Sequence, residues 1–153
     1  MVALVEFDDH HDENMKDFFQ EHYPYVNRDN RSEEFAGNVI FSKYPITNLI
    51  QTYDQSSWRY GYVSIQAPER DYYLYLVHTS APISRQHFSI RNNQLDTIVE
   101  EYAMHAEDRD PEAPILMVGD FNLTPRSPYY KKFQENLPEL WNATRSYTFL
   151  STW

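Results

Sequence analysis

Ile115-Leu116-Met117-Val118-Gly119-Asp120-Phe121-Asn122-Leu123-Thr124-Pro125 is the stretch from which the fold can be read. An apolar run of strand character enters an Asp-Phe-Asn corner and continues into a proline-punctuated loop. Side chains alternate along an extended chain, so Asp120 and Asn122 share one face at the strand's C-terminal edge. Active sites often occupy that edge in sheets flanked by helices. A carboxylate acceptor beside a neutral amide donor suits activation of a water and the charge that develops on a phosphoryl oxygen. The competing reading is that both residues only shape a turn, which their side chains do well.

Before that strand lies a long helix candidate, from Arg85 to about Glu107. Leu95, Ile98, Val99, Tyr102 and Ala103 form its apolar stripe at i, i+3, i+4 spacing. After the strand, Ser127 reads as an N-cap with Pro128 at the first position of a short helix to about Leu137. Asn48 to Tyr53, Trp58 to Gln66 and Tyr72 to Val77 read as strands, the last two joined as a hairpin through Ala67 to Asp71. Gly37 to Pro45 is a strand closed by proline, and Val2 to Val5 is a short buried strand that stops at Glu6. Asp8 to Asp12 reads as a polar loop, with Asp12 capping a helix whose apolar positions are Met15, Phe18 and Phe19. That helix fails before Pro24. Asn27 to Glu34 is a charged connection, and Pro138 to Trp153 shows no period. The order strand, helix, four strands, helix, strand, helix predicts an α+β domain with helices packed on sheet faces.

Composition narrows the chemistry. The 153 residues suffice for one domain with a real core. Only 3 glycines are present, too few for a Walker-type phosphate loop or a dinucleotide fingerprint. The absence of cysteine excludes disulfides, thiolate zinc sites and a cysteine nucleophile. No apolar run approaches the roughly 18 residues of a membrane span, and Met1 is not followed by a basic, then apolar leader. The 13 tyrosines suit either a core or lipid contact. A formal net charge of −10 argues against strong duplex DNA binding. It permits phosphoester chemistry where a divalent cation inverts the local sign.

Polar groups stand at three strand ends: Glu6, His78, and Asp120 with Asn122. Taken singly, Glu6 is a first solvated loop residue and His78 a structural hydrogen-bonding residue. Their conjunction favours a site, because unrelated loops seldom all place ionisable groups at strand termini. The segments Val2-Ala-Leu-Val-Glu6, Gly37-Asn38-Val-Ile-Phe-Ser-Lys-Tyr-Pro-Ile46, Leu76-Val-His78-Thr-Ser-Ala-Pro82, Arg91-Asn-Asn-Gln94-Leu95 and Val118-Gly-Asp120-Phe-Asn122 follow in this order. In this the chain resembles the endonuclease/exonuclease/phosphatase superfamily. His78-Thr-Ser-Ala-Pro82 and Gly119-Asp-Phe-Asn122 are most similar to the deoxyribonuclease I type. The continuation from Asn122 to Pro128 and the pair Thr152-Trp153 resemble a bacterial branch of uncharacterised members, some of which follow membrane-spanning segments.

The resemblance implies a deoxyribonuclease I-like sandwich of two mostly antiparallel sheets with helices on the outer faces. It implies a magnesium- or manganese-dependent phosphoesterase or phosphodiesterase acting on a nucleic acid, a phospholipid or a small phosphoester. Glu6 would bind the cation, a hard ion that prefers oxygen ligands and keeps several waters. His78 would contact the scissile phosphate or act as general acid, a task suited to an imidazole. Asp120 would sit near the attacking water, and Asn122 would stabilise the pentacovalent phosphate. Arg59 and Asn38 would contact substrate, although an exposed arginine is often merely solvated or ion-paired. Arg91 and Gln94 fit a helix-surface pattern and read as structural.

The superfamily also has an asparagine on a strand ahead of the residue matching Glu6, and a final Asp-His pair after the region matching Thr152-Trp153. Residues 1–153 are therefore expected to be a single, partial domain lacking its first and final strands. Such a chain would expose sheet edges open to self-association. It would bind magnesium weakly and hydrolyse little, since groups that act as a unit fail together. The alternative is a catalytically inactive family member that serves as a binding or assembly module.

Overall fold

In the computed structural model, which describes residues 1–27, 36–53 and 59–143, the elements follow in this order. They are β1 (Val2–Asp8), α1 (Asp9–His22), β2 (Tyr25–Val26), β3 (Ala36–Ser42), β4 (Ile46–Tyr53), β5 (Arg59–Ile65), β6 (Tyr72–His78), α2 (Arg85–Met104), β7 (Ile115–Asp120) and α3 (Pro128–Glu135). Residues up to Asn122 form one compact unit and those from Leu123 onward a second. In the second unit the Ser127 hydroxyl accepts the Tyr129 N–H at 3.3 Å, with Pro128 in the first turn of α3, as the sequence predicts. Trp58, the connection beyond Asn27 and the last ten positions of the Pro138 to Trp153 stretch lie outside the described residues.

Two sheets stack in the first unit. One has the strand order β1-β3-β2, all antiparallel; the other has the order β4-β5-β6-β7, antiparallel except for the parallel pair β6–β7. Parallel neighbours need a crossover, and α2 supplies it. Alternation along the strands assigns the faces. Ile40, Val63, Ile65, Leu74 and Leu76 close on Ala3, Val5, Ile46 and Val118 between the sheets. Phe7, Phe19, Val39 and Phe41, with Val2 and Leu4, join α1 to the outer face of the first sheet. The Phe19 and Phe41 rings stack there at 3.9 Å between centroids. The expected α+β sandwich is the observed fold.

Asp8 to Asp12 is not a loop: the Asp8 carboxylate accepts the His11 N–H at 2.9 Å, so α1 starts directly after β1 with Asp8, not Asp12, as its cap. That backbone hydrogen bond also holds the Asp8 carboxyl below its ordinary range. Of the apolar positions in α1 only Phe19 is buried, while Met15 and Phe18 are exposed. The short β2 has no pattern of its own and exists by pairing with Phe41 and Ser42 of β3. α2 ends at Met104, and of its predicted stripe Leu95, Ile98 and Tyr102 are buried, whereas Ala103 is exposed.

Several tyrosines gather on the outer face of the second sheet. Tyr60, Tyr62 and Tyr75 are buried beneath the C-terminal half of α2, which contributes Tyr102. The Tyr62 ring stacks on Tyr75 at 4.3 Å and on His105 at 4.5 Å, and Tyr75 Oη shares a hydrogen bond with His105 Nδ1 at 3.1 Å. These rings are core, not a lipid-facing surface. Burial pushes the Tyr62 phenol up to about 12 and raises Tyr60 and Tyr75 further.

Burial also holds the His105 imidazole below its ordinary value, with the Arg109 charge acting in the same direction and Glu101 and Asp108 opposing it. A histidine with a depressed folded pKa binds fewer protons folded than unfolded, so its share of stability is present above about pH 6.5 and is lost as pH falls below that. His105→Phe keeps a ring against Tyr62 and removes the titration. Between about pH 7.5 and 5.5 the variant should lose less melting temperature than the wild type. Equal losses in two thermal melts would refute the assignment.

Candidate functional site

The site begins with a phase change in β1. Between the pairs Leu4↔Val39 and Phe7↔Gly37, β1 advances three residues while β3 advances two, so β1 carries one extra residue, a β-bulge. Strict alternation would turn Phe7 toward the second sheet together with Ala3 and Val5. The bulge returns it to the helix side, against Phe19 and Phe41. Glu6 absorbs the change with φ 55°, a left-handed conformation that costs a residue with a Cβ about 1–2 kcal/mol. It does not end the strand, as the sequence suggested, but stands out from its middle with a side chain 79% exposed.

Across the gap between the sheets, Leu74 and Leu76 of β6 point inward. His78, in the same alternation, ends that inward row at the rim. His78 Nε2 lies 3.7 Å from Glu6 Oε1, and its side chain is 17% exposed. Asn38 of β3 reaches the same end of the gap, its Nδ2 donating to the Leu76 carbonyl at 3.4 Å. On β7, Val118 points inward and Asp120 stands beside His78 in the parallel register. Arg59 is the antiparallel partner of His78 on the other side, so Arg59, His78 and Asp120 form one row across three strands. The side chain of Arg59 lies outside the described residues.

The corner after β7 is a turn as well as an edge. Asp120 Oδ1 accepts the Asn122 N–H at 2.8 Å, and Asn122 adopts φ 47°, so the chain is not extended there and the two side chains do not share a strand face. Asparagine tolerates this conformation better than most residues. The turn aims the amide sideways: Asn122 Nδ2 donates to the Thr79 carbonyl at 2.8 Å, while the Thr79 N–H donates to the Asp120 carbonyl at 3.0 Å. Two strand exits are thereby laced together. Glu6, Asn38, His78, Asp120 and Asn122 thus gather at one end of the sandwich.

Gly119 makes the close strand approach possible. With φ +132°, a Cβ built there would lie 1.9 Å from the Val77 carbonyl oxygen. The signal in the sequence is the glycine itself, since a glycine inside an apolar strand marks close backbone approach. Arg91 and Gln94, expected as structural residues of a helix surface, are structural but do not lie on the surface. Both are buried, and they hydrogen-bond the loop backbones at Asn122 and Ser80. The helical pattern alone concealed this because their partners are carbonyl and N–H groups of distant loops.

The donor set admits a hard cation: Glu6 offers an exposed carboxylate beside His78 and on the same rim as Asp120. Among the described residues no group of three or more His, Cys, Asp or Glu side chains is placed to hold a metal ion. An ion at Glu6 would therefore keep most of its water ligands. Also among these residues, no helix is long and apolar enough to cross a membrane.

Residues 1–153 match the family model described as the Endonuclease/Exonuclease/phosphatase family, and the chain belongs to that family. No curated protein matches it. Among solved structures, a β-hairpin deletion mutant of beta toxin from Staphylococcus aureus is similar in fold at TM-score 0.69 and 21% identity, over 89% of this chain and 58% of that one. Sphingomyelinase C from Streptomyces griseocarneus gives TM-score 0.67 at 18% identity, over 88% and 56%. TDP2 from C. elegans gives 0.60 at 17%, over 80% and 37%. The chain spans just over half the length of the first two.

Gly119→Ala should destabilise the protein by roughly 2–4 kcal/mol in urea unfolding, since the Val77 backbone must move to admit a methyl group. A loss below about 0.5 kcal/mol would show that the β6–β7 register does not depend on this approach.

Proposed function

From membership in the endonuclease/exonuclease/phosphatase family we propose that this chain is a metal-dependent phosphoester hydrolase, with its chemistry at the Glu6–His78–Asp120–Asn122 rim. The observation that carries the reading is the convergence of these groups from three separate strands and a loop, with two of them, Glu6 and Asn122, held in left-handed backbone. Left-handed residues with a Cβ cluster at functional sites, because a structure retains such strain only where its surroundings enforce it.

Each side chain has work that its placement allows. The Asp120 carboxylate accepts a proton from a water as that water's oxygen attacks phosphorus. Asn122 spends one amide N–H on Thr79 and has a second to offer a phosphoryl oxygen as charge builds there. His78, when protonated, gives its proton to the departing oxygen as the P–O bond breaks. Asn38, beside the row, and Arg59, whose backbone pairs with His78, are the candidate substrate contacts. Glu6 would hold a magnesium or manganese ion, which when bound supplies charge neutralisation on the phosphoryl group. With few ligands in reach among the described residues, weak metal binding and slow turnover are expected.

The formal charge of −10 disfavours a nucleic-acid duplex and leaves phospholipids and small phosphoesters as the better substrate classes. The likeness in fold to a sphingomyelinase C and to beta toxin, one structure of which carries bound magnesium ions, fits the lipid class.

Hydrolysis of bis(p-nitrophenyl) phosphate with and without magnesium tests the reading. Wild-type protein should show slow, magnesium-dependent turnover, and Asp120→Ala should lower it by about 100-fold or more. Equal rates from the two proteins would sink the enzymatic role and favour the binding-module alternative.

A further inference from the structure

α2 buries two polar side chains near its middle, Arg91 at 3% and Gln94 at 7% exposure. A charge is taken out of water only where hydrogen bonds replace the lost hydration. Arg91 Nη1 donates to the Asn122 carbonyl at 2.6 Å, and its Nε donates to Asn92 Oδ1 at 2.8 Å. The guanidinium also lies 4.8 Å from the centroid of the Phe88 ring. Gln94 Oε1 accepts the Ser80 N–H at 2.7 Å. One turn of one helix therefore grips both strand exits: the chain two residues past His78 and the chain two residues past Asp120.

We propose that Arg91 and Gln94 are positioning residues for the rim, Arg91 locking Asn122 in its left-handed conformation and Gln94 fixing the exit from His78. The kinetic consequence rests on the hydrolase reading; the geometric one does not. A charged donor on the Asn122 carbonyl makes a hydrogen bond stronger than a neutral one and offsets the cost of the left-handed backbone. Without it the Asn122 amide loses its fixed aim at the space beside Asp120. Displacement of about 1 Å at a reacting centre lowers rates by roughly 100-fold. Lysine is no substitute, because one ammonium cannot span Asn92 and the Asn122 carbonyl in the planar fork geometry of a guanidinium.

The full chain tests this with Arg91→Lys, Gln94→Met and Gln94→Glu. Backbone amide hydrogen exchange should quicken about tenfold or more at Asn122 in Arg91→Lys and at Ser80 in Gln94→Met, with Leu95 and Ile98 unchanged. Gln94→Glu keeps an acceptor and should restore protection at Ser80. With bis(p-nitrophenyl) phosphate and magnesium, Arg91→Lys and Gln94→Met should lower kcat roughly 10- to 100-fold with KM held within about threefold. Unchanged exchange at both amides, or a uniform rise along α2, would overturn the proposal, as would an unaltered kcat in an active protein. If wild-type protein hydrolyses nothing, the hydrolase reading fails, and the exchange pattern alone decides the positioning role.

Discussion

The parallel pairing of β6 with β7 is the constraint on which the rim end of the second sheet depends. Val77 and Gly119 lie so close that a side chain at the second position would collide with the backbone of the first. With that register set, His78 and Asp120 leave the sheet side by side. Parallel strands cannot be joined by a tight turn, so a crossover must pass over one face. α2 is that crossover, and the same geometry brings Arg91 and Gln94 to the two exits that the pairing created. Strand register, helix placement and loop conformation are consequences of one close approach.

The first sheet contributes through a different device. An extra residue in β1 shifts the alternation by one, so that Phe7 joins the aromatic layer under α1. Fully burying a phenylalanine is worth about 1.5–3 kcal/mol, enough to carry the 1–2 kcal/mol of left-handed backbone at Glu6. The strained residue faces water and projects toward His78, while the side chain that compensates for it lies inside. At Asn122 the balance is struck by hydrogen bonds instead, through the Asp120 carboxylate, the Thr79 carbonyl and the Arg91 guanidinium. Both strained positions thus rest on contacts that would persist if nothing were ever bound.

The layers and most strand positions were legible because alternation and helical spacing report burial directly. The strand from Tyr72 to Val77, which the structure extends to His78, and the strand beginning at Ile115 could be read from their own residues, whereas β3, expected to close at Pro45, already ends at Ser42. What stayed hidden depends on partners distant in sequence. β2 is a strand only because β3 offers it backbone groups. The bulge cannot be inferred from Val5-Glu6-Phe7, since the need for it arises from Phe19 and Phe41. Asp8 and Asp12 are equally good caps by type, and the choice between them is made by where β1 stops pairing. Glu6, His78 and Asp120 could be picked out as candidates because each stands on or beside a strand whose apolar character is strong. Arg91 and Gln94 were missed as holders because their targets are backbone atoms, which leave no mark in a sequence.

Electrostatics sharpens what such a rim can accept. A phosphoester brought to a protein of charge −10 meets repulsion overall, and here it would also meet the carboxylates of Glu6 and Asp120. Entry therefore requires positive charge concentrated at the rim itself. His78 can carry one such charge when protonated, at 3.7 Å from Glu6. A cation held by Glu6 would convert the most exposed of the rim carboxylates from a barrier into an attraction. Within a Debye length of about 8 Å at physiological salt the local sign outweighs the distant surface, whereas for a long polyanion the whole acidic surface counts. On the proposed hydrolase reading, the charge distribution that disfavours a duplex is compatible with a single phosphodiester group presented to one end of the sandwich.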